Sequence, residues 1–69
     1  MPRKLLDVFA ANVRTKRTAK KLTQEALANA IGVSVSYVSM LERGQRSPPF
    51  DTVEKVAKAL GVSPISLLS

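Results

Sequence analysis

A single glycine, Gly32, places the strongest constraint on how this chain can fold. The apolar residues that recur at helical spacing on either side of it are Leu27, Ala28, Ile31, Val38 and Leu41. A glycine between two such patterns predicts that the first helix ends there and that the chain bends sharply, because glycine adopts a positive φ without a steric penalty. The stretch 24–43 is therefore predicted to form two short helices joined by a tight turn.

Two hydroxyl residues mark where these helices begin. Thr23 precedes the first pattern and Ser34 precedes the second. At such positions the side-chain oxygen can accept a backbone N–H that has no partner inside the helix. With the glycine between them, the two capped segments have the sequence form of a helix-turn-helix.

The rest of the chain also has helical spacing, with no alternation typical of strands. Ser47-Pro48-Pro49 interrupts it, and Ser63-Pro64 is typical of a helix start. We predict an all-α fold, a compact bundle of five short helices in one domain spanning residues 1–69. The expected helices run from Leu5 to about Lys20, from Gln24 to about Ile31, from about Val35 to Arg43, from Phe50 or Asp51 to Leu60, and from Pro64 to about Leu68.

Composition narrows the function. The 69 residues carry a net charge of +6, which favours an anionic partner such as nucleic acid or a membrane surface. The absence of cysteine and histidine removes thiolate and imidazole metal ligands and the commonest general base. No apolar run approaches the roughly 18 residues that span a bilayer. We expect a soluble protein of the cytoplasm, associated with the nucleoid, that uses no cofactor, metal or small-molecule ligand.

The motif residues carry a family resemblance. The matching positions are Leu22-Thr23-Gln24-Glu25, Leu27-Ala28, Gly32-Val33-Ser34, Tyr37-Val38-Ser39, Leu41-Glu42-Arg43-Gly44, Arg46 and Pro48. The chain closely resembles the lambda-repressor/Cro-like helix-turn-helix domain, in particular compact members such as restriction–modification controller proteins and small phage or plasmid repressors. The resemblance implies sequence-specific binding of a palindromic operator in double-stranded DNA by a homodimer.

The resemblance also assigns roles to the two helices of the motif. The first would lie across the DNA backbone, and the second would enter the major groove. Gln24, at the start of the first, would face a phosphate with its side chain and backbone N–H, as the N-terminus of a helix favours an anion. The alternative is that Gln24 only completes an N-terminal cap pair with Thr23.

A helical wheel, at about 100° per residue, separates the two faces of the second helix of the motif, which is the third helix of the chain. Val35 and Met40 could contact a thymine methyl group, although a methionine often fills a packing gap instead. Tyr37 could offer its hydroxyl to a phosphate or pack against the preceding helix. Arg43 and Arg46 are the best donors to guanine or phosphate. The predicted DNA-binding set is Thr23, Gln24, Ser34, Val35, Ser36, Tyr37, Ser39, Met40, Arg43 and Arg46.

Two charged residues fall on apolar faces. Arg17 continues the stripe of Phe9 and Val13 on the first helix, and Glu42 leans inward on the third. Either charge alone would be costly inside a small core. Together they can form a bidentate pair, and the family resemblance implies the same ion pair, with a structural role.

The C-terminal segment offers a surface for dimerisation. Leu67 is expected to turn inward against Leu60, whereas Ile65 and Leu68 share another face that the monomer cannot easily cover. These two exposed apolar residues beside Val62 would form a dimer interface. The alternative is a frayed terminus without a function.

Three other classes of function compete with DNA binding. A helical protein-interaction module is the main alternative, and it would leave Gln24, Arg43 and Arg46 dispensable. A membrane-surface helix is disfavoured because the apolar stripe of the first helix ends in Arg17 and the chain has no tryptophan. An enzyme is disfavoured further, because no carboxylate pair, nucleophile–base set or phosphate-binding loop is present in the sequence.

Overall fold

The helices follow one another with short connections, and each begins where the sequence offers a cap or a proline. The computed structural model describes residues 4–69, all of them in helices, turns and loops, with no strand in that range. The elements are α1 (Leu5–Ala19), α2 (Gln24–Ile31), α3 (Val35–Glu42), α4 (Phe50–Leu60) and a C-terminal 3₁₀ turn (Pro64–Leu67).

The prediction of a fifth helix was wrong, since the segment that begins at Pro64 forms a single 3₁₀ turn. The Ser66 N–H donates to the carbonyl of Ser63 at 3.1 Å, and the Leu68 N–H donates to that of Ile65 at 2.9 Å. Both bonds span three residues, so they close the tighter 3₁₀ ring, which is used in short pieces. The fold is therefore all-α with four helices and this turn. The other predicted boundaries agree with the structure to within one residue.

The backbone conformation that ends α1 was not predicted. Lys21 adopts a left-handed backbone with φ of 59°, the only positive φ at a non-glycine position among residues 4–69. The Leu22 N–H reaches the Arg17 carbonyl at 3.1 Å, and the Lys21 N–H reaches the Thr18 carbonyl at 2.9 Å. This is the Schellman arrangement, which usually has glycine in the left-handed position. α1 therefore turns into α2 through a strained lysine.

One apolar core joins all five elements. Leu67 has no exposed surface and Leu60 only 1%, so the inward turn of Leu67 is confirmed. The packed residues are Phe9, Val13, Leu27, Ala28, Ile31, Val38, Leu41, Val53, Val56, Ala57, Leu60 and Leu67. Because every element contributes to this set, burial of the core fixes the position of α2 and α3 relative to α1 and α4.

A side chain of α1 holds the C-terminal turn in place. The Asn12 amide nitrogen donates to the carbonyl of Leu67 at 3.0 Å and to that of Ser69 at 3.2 Å, with a longer contact to Ser66 at 3.5 Å. These bonds connect positions more than fifty residues apart in sequence. A lone asparagine inside a helix carries no distinctive pattern, so these contacts of Asn12 were not predicted.

Candidate nucleic-acid interface

The two helices of the motif meet across the predicted glycine. Gly32 has φ of 75°, and the N–H of Val33 returns to the carbonyl of Ala28 at 3.0 Å, which closes α2. The Thr23 hydroxyl accepts the N–H of Ala26, and the Ser34 hydroxyl accepts that of Tyr37, each at 3.0 Å. Both caps and the turn are confirmed.

Capping leaves the first N–H groups of each helix available. Among residues 4–69, the backbone N–H groups of Gln24 and Glu25 have no acceptor, and neither do those of Val35 and Ser36. Free N–H groups at a helix start carry partial positive charge and bind anions. The N-termini of α2 and α3 can therefore each receive a negatively charged oxygen.

The third helix has one buried and one exposed face. Val38 and Leu41 have no exposed surface. On the other side Ser36 and Arg43 are exposed, and Val35 at the start of the helix is 41% exposed. Ser39 and Met40 are half-buried at the edges. The exposed face combines small, polar and cationic groups, as predicted from the helical wheel.

Tyr37 and Arg46 form a unit that neither reading of Tyr37 anticipated. The guanidinium carbon of Arg46 lies 5.8 Å from the centre of the Tyr37 ring, within the range of a cation–π contact. Tyr37 is half-buried and Arg46 is exposed. The ring therefore supports the cation that follows α3. Arg43 instead lies along its own helix, with Nε 3.4 Å from the carbonyl of Ser39.

The predicted ion pair lies beneath this surface. Arg17 donates from Nε to Glu42 Oε2 at 2.5 Å and from Nη2 to Oε1 at 3.0 Å, which is the bidentate geometry. The two side chains are 12% and 3% exposed. The hydrogen bond with Glu42 raises the pKa of Arg17 further above its ordinary value, so the guanidinium stays charged. Its third contact, from Nη1 to the carbonyl of Leu22 at 2.7 Å, was not anticipated.

Gln24 joins the same cluster. Its Nε2 donates to Glu42 Oε1 at 3.1 Å, so the first residue of α2 is tied to the last residue of α3. No hydrogen bond connects the Gln24 side chain to Thr23, which corrects the alternative of a cap pair. Helical spacing could not reveal this contact, because it joins residues of two different helices.

A second exposed surface is apolar. Phe50 at the start of α4 is 87% exposed, Ile65 is 76% exposed and Leu5 is 60% exposed. Leu68 is half-buried and packs against the core, so the expectation that the monomer leaves it uncovered holds only in part. A groove of about 200 Å³ lies between α1, the start of α4 and the end of the C-terminal turn. It is lined by Leu5, Leu6, Phe9, Ser47, Pro48, Phe50, Val53 and Leu68.

Residues 4–69 contain no group of three or more carboxylate or other side chains placed to hold a metal ion. None of the helices in this range is both long enough and apolar enough to cross a bilayer.

Two capped eight-residue helices across a left-handed glycine, with a polar face on the second, define a helix-turn-helix protein. Comparison with known families agrees, since the helix-turn-helix family model matches residues 13–67. The chain belongs to this family, which confirms the resemblance found in the sequence.

Curated relatives and solved structures support the assignment. The chain is 40% identical over 62 residues to the cryptic phage CTXphi transcriptional repressor RstR of Vibrio cholerae, and the match covers 90% of this chain but only 56% of RstR. It is 42% identical over 62 residues to the control protein C.BamHI of Bacillus amyloliquefaciens, covering 88% of this chain and 76% of C.BamHI.

Restriction-modification controller proteins share the fold. The crystal structure of C.AhdI from Aeromonas hydrophila superposes with a TM-score of 0.86 at 44% identity, covering 90% of this chain and 94% of C.AhdI. The controller protein C.Esp1396I, solved as a tetramer with its natural 35 base-pair operator, superposes with a TM-score of 0.84 at 29% identity, covering 96% of this chain and 87% of that one.

Proposed function

We propose that this chain is a sequence-specific regulator of transcription that binds double-stranded DNA, with α3 in the major groove. The observation that carries the proposal is the exposed face of α3, which presents Val35, Ser36 and Arg43 to solvent. The opposite side of the same helix is buried in the core. A capped helix of this size fits the width of the major groove. The structure of C.Esp1396I in complex with its operator supports DNA binding by a chain of this fold.

Contacts to the DNA backbone would come from the helix starts and the cations. The free N–H groups at the N-terminus of α2 would receive one phosphate and those of α3 another, with Thr23 and Ser34 beside them. Arg43 and Arg46 follow the recognition face and add charge. Such contacts set the position of the protein on DNA but carry no sequence information.

Reading of the bases would fall to the exposed face of α3. Ser36 hydrogen-bonds several bases and so discriminates weakly, whereas Val35 and Met40 favour a thymine methyl group. Ser39 borders this face, and Tyr37 directs Arg46 from its edge. An arginine held over an aromatic ring loses less freedom on binding than a free one, which favours Arg46 as a donor to a backbone phosphate.

Specific recognition calls for two copies of the chain. One short helix reads only a few base pairs, each worth about 1–3 kcal/mol, which is too little to select one site in a genome. A homodimer on a palindrome, with half-sites about 10 base pairs apart or a multiple of that, supplies the remainder. Its interface would include Ile65 and Leu68, as the sequence predicted, together with Phe50 and Leu5, whose exposure the structure adds.

The proposal places the protein in the cytoplasm, with the nucleoid as its site of action, and gives it a binding role without catalysis. Regulation would then follow from protein concentration, with no cofactor and no small-molecule ligand. The relatives named as transcriptional repressors and control proteins support this assignment.

Selection of random DNA duplexes against the purified protein, followed by affinity measurements at several salt concentrations, tests the proposal. With about six phosphates contacted, the affinity should fall roughly a thousandfold between 50 and 200 mM salt. Arg46→Gln should weaken all sequences alike, whereas a Ser36→Ala, Val35→Ala double variant should change the preferred sequence.

Two results would overturn the proposal. If the double variant keeps the full site preference of the wild type, α3 is not the reading helix. If the purified protein selects no DNA sequence, and Gln24, Arg43 and Arg46 are dispensable for its activity, the helical interaction module becomes the better description.

A further inference from the structure

The junction of Arg17, Glu42 and Gln24 has more contacts than a stabilising ion pair requires. Glu42 Oε1 accepts hydrogen bonds from both Arg17 Nη2 and Gln24 Nε2, at 3.0 and 3.1 Å. The Glu42 side chain is 3% exposed, whereas Gln24 is half-buried at the first position of α2. The cluster therefore reaches from the interior to the proposed DNA surface.

The carboxylate fixes which way the Gln24 amide faces. An amide has an NH₂ group, which donates two hydrogen bonds, and an oxygen, which only accepts. A carboxylate also only accepts, so the oxygen of the amide is repelled from Glu42 and the nitrogen is held against it. Arg17 holds the carboxylate in turn through two charge-assisted hydrogen bonds.

One hydrogen of the Gln24 amide remains available. Nε2 uses one hydrogen for Glu42 Oε1, and the second has no acceptor among residues 4–69. The free backbone N–H groups of Gln24 and Glu25 belong to the same helix start. A donor whose orientation is already fixed costs less conformational entropy on binding than a freely rotating one.

We propose that the Arg17–Glu42 pair is a positioning device for DNA binding, which holds the Gln24 amide so that its second hydrogen meets a backbone phosphate. The inference rests on the proposed function, because it requires a phosphate at the N-terminus of α2. Glu42 would then have a second role besides stability. The contribution of Gln24 to DNA affinity would depend on the buried Arg17–Glu42 pair.

The test is a double-mutant cycle on DNA affinity. One arm is Gln24→Met, which keeps the length of the side chain and removes its donors. The other arm is the paired replacement Arg17→Met, Glu42→Met, which removes both charges together so that neither is stranded in the core. The probe is a mixed-sequence DNA duplex of about two helical turns, since a phosphate contact does not depend on sequence.

The expected result is strong coupling. Gln24→Met should weaken binding of the duplex about tenfold, the size of one hydrogen bond to a charged group. The salt dependence should keep its slope, because the amide is neutral and releases no counterion. In the Arg17→Met, Glu42→Met background the same Gln24→Met change should have almost no effect, since the amide is no longer oriented.

Folding is controlled separately in all four proteins by circular dichroism and thermal melting, and affinity is compared at a temperature where each is fully folded. A tenfold loss from Gln24→Met in both backgrounds overturns the inference and leaves the proposed function intact, as does no loss in the wild-type background. A wild-type chain that fails to bind the duplex overturns the proposed function, and the inference with it.

Discussion

Two regions of this molecule differ in which side chains they bury: one buries charged groups and the other exposes apolar groups. At the junction of α1, α2 and α3, the charges of Arg17 and Glu42 are drawn inside and surrounded by partners, with Gln24 and the Leu22 carbonyl completing the set. At the starts of α1 and α4, large apolar groups are left outside, with Phe50 87% exposed beside an open groove. Each arrangement is the reverse of the usual preference for burial.

The polar junction serves the fold of the monomer, whereas the apolar surface is available for contact with a partner. The junction is complete, since no buried side-chain nitrogen or oxygen in residues 4–69 lacks a hydrogen bond. The apolar surface is incomplete, because nothing within residues 4–69 covers Phe50 or Ile65. Loss of one buried charge should therefore act first on stability, and loss of an exposed apolar group should act on association.

The largest effect is expected at the junction. Arg17→Met strands the buried carboxylate of Glu42 and should lower the free energy of unfolding by about 3–5 kcal/mol. A domain of this size has only roughly 3–10 kcal/mol in total, so this variant should be partly unfolded at moderate temperature. Urea melting followed by circular dichroism measures the loss.

The paired replacement Arg17→Met, Glu42→Met is the control, and it should recover most of that stability. A coupling energy near zero in this cycle would show that the two charges do not depend on each other. Such a result would mean that the polar cluster does not stabilise the fold through this pair, and the contrast with the apolar surface would no longer hold.

The next effect is expected at the apolar surface. Phe50→Asp should give a monomer that keeps its helices but binds the selected operator at least tenfold more weakly, because one half-site is lost. Phe50 is a better test than Leu68, which packs partly against the core. An acidic residue at the first position of α4 is favourable there, so the fold should not suffer.

Size exclusion with light scattering at tens of micromolar protein measures the association. Ala30→Asp, which adds the same charge at an exposed position of α2, should remain dimeric. A wild-type protein that is monomeric both alone and with operator DNA would refute the homodimer, and it would leave the apolar groove unexplained.

The smallest effect is expected at the end of α1. Lys21 is held at φ of 59°, a conformation that costs a non-glycine residue about 1–2 kcal/mol. Lys21→Gly removes that strain at a smaller cost in chain entropy, so the protein should gain about 0.5–1 kcal/mol in thermal or urea melting. Lys21→Ala keeps the strain and should bring no such gain. Equal stability of the glycine and alanine variants would exclude strain as the cause.

Most of the fold could be predicted because its signals are local. Gly32 fixed the turn of the motif, the hydroxyls of Thr23 and Ser34 marked two helix starts, and apolar spacing identified the buried faces. The C-terminal segment was misjudged because Pro64 marks a helix start equally well for a 3₁₀ turn and for an α-helix. Local signals do not distinguish these two over four residues.

The features that escaped prediction are contacts between distant residues. The bonds from Gln24 to Glu42 and from Asn12 to Leu67 join separate elements, and the Tyr37–Arg46 contact depends on how the loop after α3 folds back. The exposure of Phe50 was missed for a related reason. Phe50 was predicted only as a possible first residue of α4, and its 87% exposure depends on what packs beside that position in the fold.

The C-terminal turn has a consequence for how the protein melts. Its two faces differ in burial, since Leu67 lies in the core with no exposed surface while Ile65, two residues earlier, is 76% exposed. In the proposed homodimer, the surface that covers Ile65 would also hold Leu67 in place, so the association of two copies and the closure of each core would be linked equilibria. By mass action the melting temperature of such a protein rises with its own concentration. At low abundance this chain would then be both a weaker DNA binder and a less durable fold.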